Sequence, residues 1–146
     1  MTNPSIKLAK LPSEIEAVKF IRKKVFQEEQ GVREELDFDG EDEKCELLLA
    51  VLDDECVGTV RVRVLDEKKA KIERLAVLQD ARGHGVGKLL MAIALDVIES
   101  KNIPEAVVHS QEYIKGLYQQ LGFTQVGDIF EEAGISHVKM KKILKV

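Results

Sequence analysis

The chain predicts an α/β (α+β) fold with a central mixed, mostly antiparallel sheet flanked by helices. Three observations carry this. A continuous apolar run, Leu47 to Leu52, precedes a segment in which Val60, Val62 and Val64 alternate with Thr59, Arg61 and Arg63, as a buried strand beside a half-buried one would. A further strand-like segment, Ile72-Glu73-Arg74-Leu75-Ala76-Val77-Leu78, leads through Gln79-Asp80-Ala81 into Arg82-Gly83-His84-Gly85-Val86-Gly87-Lys88 and then the apolar Leu89-Leu90-Met91. Apolar residues at three- and four-residue spacing before and after these strands supply the helices.

The elements follow in order. Ser5 to Lys10 is a short candidate strand. Ser13 starts a helix with Pro12 just before it and Glu14 and Glu16 in its first turn, where carboxylates complement the helix dipole. Val18, Ile21 and Val25 give that helix one buried face down to about Gln30-Gly31. Glu34 to Lys44 is dense in acids and carries Gly40, which predicts a loop or irregular helix; the acidic loop from Glu34 to Glu46 reads as a solvated charge run, with attraction of a cation as its alternative. The next two strands form a hairpin around Asp53-Asp54, in a register that sets Cys56 opposite Val51 and Cys45 opposite about Val62. Asp66 to Lys69 turns the chain into a strand from Ala70 to Val77. From Gly87 to Lys101, Leu89, Leu90, Ile93, Ala94, Val97 and Ile98 mark an amphipathic helix that Asn102 ends before Pro104. Glu105 to His109 is a strand and Glu112 to Leu121 a helix closing at Gly122. Two strands around Glu132-Ala133-Gly134 complete the chain.

Composition narrows the class. The 146 residues suit a single domain, 1–146. With 45% hydrophobic and 33% charged residues, no apolar run near the ~20 residues that cross a bilayer and no secretory apolar region behind Met1, the expectation is a cytoplasmic protein with no membrane partner. The net charge of −4, with lysines and arginines scattered among acids, argues against a nucleic-acid surface. Cys45 and Cys56 do not face each other and read as small apolar strand residues, and no Cys-x-x-Cys or His/Cys cluster points to a metal.

A strand that enters glycines and then a helix builds a cradle of backbone N–H groups, which is a site for phosphate. Spacing decides which phosphate. The ATP-binding loop needs Gly, four residues, then Gly-Lys-Ser/Thr; here Arg82 stands at the first position and Leu89 at the last. The dinucleotide fingerprint needs Gly-x-Gly-x-x-Gly; counting from Gly83 and Gly85, its third glycine falls on Lys88. What remains is Arg-x-x-Gly-x-Gly, met by Arg82, Gly85 and Gly87 after a strand carrying Glu73.

This loop resembles the pyrophosphate-binding loop of the GCN5-related N-acetyltransferases (GNAT family), which bind acetyl-CoA. Tyr118-Gln119-Gln120-Leu121-Gly122-Phe123 is similar to the family's Tyr-x-x-Leu-Gly-Phe helix end. The element order matches the family over essentially the whole chain. Val25-Phe26-Gln27-Glu28-Glu29-Gln30-Gly31-Val32, Asp37 to Glu43, Ile72 to Val77 and Gly134-Ile135-Ser136-His137-Val138-Lys139-Met140 further resemble the small bacterial ElaA/YjcF-like acetyltransferases. Ser110-Gln111 and Leu117-Tyr118 depart from that subgroup's Ala-Gln and Phe-Tyr, so its acceptors are not inherited with the resemblance.

The resemblance implies a GNAT-type acyl-CoA N-acyltransferase fold and acetyl transfer to a primary amine by direct attack in a ternary complex. It implies that backbone groups of Leu75, Ala76 and Val77 pair with the pantetheine arm. Backbone N–H groups of Gly83, His84, Gly85, Val86, Gly87 and Lys88 would hold the pyrophosphate, with Arg82 and Lys88 adding charge. Acyl transfer needs a neutral amine and a proton for the departing thiolate. Tyr118 is the candidate acid, because an ordinary phenol near pKa ~10 stays protonated at neutral pH. Glu73 is the candidate base, acting through water, with a cross-strand ion pair as its alternative role.

On the acceptor side stand His109, at a strand end beside the cleft, and His137, expected near Glu29 or Gln30. Each histidine has a purely structural alternative, and His84 reads as an exposed loop side chain. The acceptor is a small-molecule or peptide amine. The rival to an enzyme is a coenzyme-A-binding sensor or regulatory module without turnover. An open sheet edge at the C-terminal strands leaves room for a homodimer.

Overall fold

A computed structural model describes residues 3–144. Strands β1 (Ser5–Leu8), β2 (Glu46–Leu52), β3 (Glu55–Val64) and β4 (Lys69–Val77) pair successively and antiparallel. β4 then runs parallel to β5 (Glu105–Gln111), and β5 pairs with β7 (Ile135–Ile143), which carries β6 (Thr124–Glu132) at the edge. The sheet order is therefore β1-β2-β3-β4-β5-β7-β6, mixed and mostly antiparallel as the sequence predicts. Helix α1 (Ile15–Arg22) continues through a π-helical segment, Lys23–Glu29, so the first predicted helix is present but changes its winding midway. A single turn, α2 (Glu34–Asp37), lies in the acidic segment, and α3 (Val86–Ser100) and α4 (Lys115–Gln120) follow β4 and β5.

Alternation along the strands separates two faces. Leu48, Val60, Ile72, Val108 and Met140 point to one face, where Leu90, Met91, Ala94 and Ile98 of α3 cover them. Leu47 and Leu49 point to the other and pack on Val18 and Ile21 of α1 and Val25 of the π-helical segment. Farther along that second face the strands carry Arg61, Lys71, Glu73 and His109, with Arg61 opposite Glu73. One face is thus a dry core and the other grades from core to polar site.

Extra residues in the strands adjust this pattern. A shift at Ala50/Val51 keeps Cys56 opposite Val51 but brings Glu46, not Cys45, opposite Val62; Cys45 lies just outside β2. The uninterrupted hairpin count misses this because a bulge adds one residue to one strand only. The Asp53-Asp54 turn has positive φ at both residues (51° and 66°), the geometry that suits the twist of a two-residue hairpin. A second shift, between Thr59 and Arg61 in the β3–β4 pairing, coincides with Arg74 at φ 58°. It moves Ala76 to the α1 face and turns Leu75 and Val77 toward the α3 side.

Close packing of α3 on the sheet depends on Gly58. A Cβ there would lie 2.9 Å from Val86 Cγ1, 3.0 Å from Leu90 Cδ1 and 3.3 Å from the Ala76 carbonyl. Gly58→Ala is expected to destabilise the protein by about 1–3 kcal/mol, the usual cost of overpacking. Gly116→Ala, where a Cβ meets nothing within 4 Å, serves as the control that leaves the urea midpoint nearly unchanged.

Candidate active site

Parallel pairing of β4 with β5 runs from Lys69/Glu105 to Ile72/Val108 and stops there. Beyond that point the strands part around a cleft of about 660 Å³. Glu73 to Val77 line one wall, and His109, Gln111, Leu117 and Tyr118 line the other. The main chain of β4 facing β5 is left without a strand partner from Glu73 onward, as a sheet edge is. Leu75, Ala76 and Val77 all lie on this stretch.

The glycine loop closes one end of the cleft. Gly83 and Gly85 adopt φ of 86° and 76°, and Gly85 caps the N-terminus of α3. The first helical bond is Leu89 N–H to Gly85 O, 3.0 Å. The backbone N–H groups from Gly83 to Lys88 have no hydrogen-bond acceptor among the described residues. Six adjacent donors at the positive end of a 15-residue helix form an anion site, which suits the pyrophosphate of acetyl-CoA. Gly83, Gly85, Val86, Gly87 and Lys88 line the cleft, whereas the His84 side chain is exposed outside it.

Arg82 also lines the cleft, but its guanidinium is engaged. It donates to Glu29 through both terminal nitrogens at 2.7 Å and to the Val77 carbonyl through Nε at 3.0 Å. That hydrogen bond holds the Glu29 carboxyl below its ordinary range. Glu29 therefore sits against the glycine loop and outside the cleft lining, so of the two residues expected near His137, Glu29 or Gln30, it is not the one in the cleft. Gln30 does reach the cleft, where its amide exchanges hydrogen bonds with that of Gln111 at 2.8 and 3.2 Å.

The acidic segment is not a solvated loop. Arg22, fully buried, donates to Asp37 Oδ1 at 3.0 Å and Asp42 Oδ1 at 2.6 Å. Arg61, also buried, donates to both oxygens of Asp39 at 2.8 Å, to Asp42 at 3.0 Å and to Glu73 Oε1 at 2.7 Å. Asp37 and Asp42 are 1% and 7% exposed, which runs against the solvated reading and reflects two arginines that charge counting along the segment does not reveal. Arg74, re-aimed by its bulge, donates to the Leu36 and Asp37 carbonyls and to Asp39, fastening the segment over the cleft.

Glu73 is thus part of an ionic network. Lys71 Nζ lies 3.3 Å from its Oε2 and Arg63 Nε 2.8 Å from its Oε1, in addition to Arg61. Burial by itself raises the Glu73 pKa, but Arg61, Lys71 and Arg63 outweigh it and hold the carboxyl below its ordinary range.

Tyr118 is buried on the far wall, edge-on to Phe123 at 6.0 Å. Burial pushes its phenol pKa up, and its hydroxyl makes no protein hydrogen bond among the described residues. Deeper in the cleft, His109 Nδ1 is 3.0 Å from Glu132 Oε1, and His137 Nε2 is 3.7 Å from Glu132 Oε2. Phe130 packs between the two rings, T-shaped to His109 at 5.1 Å and stacked on His137 at 5.9 Å. Sequence reasoning misses Glu132, which reads as a turn residue, and Gln111. The β5–β7 register, with Gln111 opposite His137, and the β6–β7 register, with Glu132 opposite Ile135, bring them to the site.

A family model for the acetyltransferase (GNAT) domain matches residues 11–144. The chain belongs to the GNAT acetyltransferase family. It is an N-acyltransferase by that membership. YyaT of Bacillus subtilis is 37% identical over 130 residues, covering 87% of this chain and 86% of YyaT. The crystal structure of Escherichia coli ElaA superposes with a TM-score of 0.83 at 26% identity, covering 97% of this chain and 99% of ElaA, in line with the subgroup resemblance. A GNAT family acetyltransferase from Elizabethkingia anophelis with acetyl-CoA bound shares the fold at a TM-score of 0.78 and 19% identity, over 99% of this chain and 100% of that one. Among the described residues no helix is long and apolar enough to cross a membrane.

The ionic network predicts a pH dependence. The Arg61 hydrogen bond, set against partial burial, holds Asp39 well below its ordinary pKa, and Glu73 is lowered as well. Carboxylates depressed on folding contribute stability that is complete above their unfolded values near ~4 and lost as pH falls through the folded ones. Urea unfolding is expected to show stability dropping below about pH 4. Asp39→Asn should lower the neutral-pH stability and flatten that acid decline.

Proposed function

We propose that this chain moves the acetyl group of acetyl-CoA to a primary amine by direct attack while both substrates are bound. The observation that carries this is the run of uncapped N–H groups from Gly83 to Lys88 opening on the same cleft as Tyr118 and the free edge of β4. Bound acetyl-CoA supplies a thioester carbonyl and a thiolate leaving group. Gly83 to Lys88 bind its pyrophosphate through main-chain donors and the α3 dipole. Leu75, Ala76 and Val77 orient the pantetheine arm as an added strand would. Arg82, locked to Glu29 and Val77, braces the loop against this edge.

Tyr118 donates the proton that the leaving sulfur takes up. A phenol whose pKa burial raises stays protonated throughout the working range, so the donor is always loaded. Glu73 has a different part from the base that its position on the strand suggests. Three cations keep it ionised, and a carboxylate held below its ordinary range is a poor proton acceptor for an amine. Its negative charge fixes Arg61 and Lys71 at the floor of the fork.

Thiol release from acetyl-CoA against a diverse panel of primary amines tests this reading. Transfer to at least one amine is expected, and Tyr118→Phe should lower kcat by about 10²-fold or more with acetyl-CoA affinity little changed. Unchanged turnover in that variant would remove Tyr118 from the mechanism. Failure of every amine to release thiol would favour a coenzyme-binding module.

A further inference from the structure

The base is the missing part, and the floor of the fork holds a group for it. Ile72 and Val108 are the last paired residues of β4 and β5, so His109 stands at the point where the strands part. It lines the cleft. Its Nδ1 is 3.0 Å from Glu132 Oε1, and an ionised carboxylate only accepts, so Nδ1 carries the proton. The lone pair of neutral His109 is then on Nε2, which no protein group engages among the described residues. His137 is set the same way. Its Nδ1 lies 2.7 Å from the Ile135 carbonyl and must donate, which leaves Nε2 facing Glu132 Oε2 at 3.7 Å.

Glu132 accepts from His109 Nδ1 and faces His137 Nε2, and each ring keeps one unprotonated nitrogen, a set that suits a cation donating several hydrogen bonds. An alkylammonium group is such a cation. Phe130, against both rings, gives the site an apolar side for the carbon attached to the nitrogen.

We propose that a cationic primary amine docks against Glu132 and that His109 Nε2 takes its proton, with Glu132 as the positioning residue for the ring. The inference rests on the acetyl-transfer reading above and supplies its acceptor side. The ammonium gives up two protons in all as its nitrogen bonds to the acyl carbon and the carbon–sulfur bond breaks. One goes to His109 and then to water past the half-exposed Glu132. The other replaces the proton that Tyr118 delivers to the departing sulfur. The products are the amide, the free thiol and one released proton.

The charged groups on the same face as His109 are Glu132 from β6, Arg61 and Arg63 from β3, Lys69, Lys71 and Glu73 from β4, Glu105 from β5, and His137, Lys139 and Lys141 from β7. Lys71 is tied to Glu73, so its charge is partly balanced before a substrate amine arrives. The side chain of Glu132 is 43% exposed on the edge strand, which makes it open to substitution without loss of the fold.

The test is the pH profile of kcat/KM with each of spermidine, benzylamine, glucosamine 6-phosphate and a free-amino-terminus peptide that releases thiol. The full chain is expected to show an acid limb at the same pH for every amine, set by the protein and not by the ionisation of the amine. His109→Gln should lower kcat/KM by about 10²-fold and abolish that limb, while acetyl-CoA affinity is retained. Glu132→Gln should lower kcat/KM and move the limb, with Glu132→Asp recovering part of both. Should His109→Gln not fold, the Glu132 pair decides the matter. A wild-type limb that follows the pKa of each amine, or a His109→Gln or Glu132→Gln profile matching wild type, overturns the proposal and leaves acetyl transfer standing. Absence of transfer to all four amines overturns both.

Discussion

The molecule turns on the place where β4 leaves β5. Four residues of parallel pairing hold the two halves of the sheet together, and past Ile72/Val108 neither strand offers the other a partner. An unpaired strand edge inside a protein is costly unless something else takes up its hydrogen bonds. The fork therefore asks for an extended, hydrogen-bonding ligand, and the glycine loop at its end asks for an anion. Acetyl-CoA, with a peptide-like arm attached to a pyrophosphate, answers both requirements.

A charged segment is fastened beside the fork and lines it with Leu36, Asp37 and Asp39. Arg74 sits at φ 58°, a conformation that disfavours a side chain by about 1–2 kcal/mol, and is held there by bonds to Leu36, Asp37 and Asp39. Those acids are in turn gripped by Arg22 and Arg61, and Arg61 reaches Glu73 on the cleft wall. Removing one partner from such a network strands a buried charge, which costs far more than the pair contributes. The network links α1, β3 and β4 through a segment with little regular structure of its own. It also ties up Glu73 on the cleft wall, whose carboxylate is held by Arg61, Arg63 and Lys71.

Much of this was readable in the residues, and the failures have physical causes. Strands β2, β3 and β4 lie where apolar runs and alternation place them, β6 and β7 flank the turn at Glu132-Ala133-Gly134, and Tyr118 and the glycine cradle are identifiable from short motifs. The bulges are not, because inserting one residue among Arg74, Leu75, Ala76 and Val77 leaves an apolar stretch that looks the same in either register. Burial of Asp37 and Asp42 is hidden because their partners lie 15 to 20 residues away in sequence. Glu29 and Gln30 are neighbours along the chain yet serve different places, one braced on Arg82 and the other facing Gln111. Glu132 gains its meaning only when β6 and β7 fold back beside β5 and bring it to His109.

The fork as a coenzyme site is tested most directly by amide hydrogen exchange of the full chain with and without acetyl-CoA. Acetyl-CoA is expected to slow exchange at Leu75 to Val77 and at Gly83 to Lys88, the edge and cradle that lack partners, and to leave β1 and β6 unaffected. Binding of acetyl-CoA with unchanged exchange at both stretches would contradict the account.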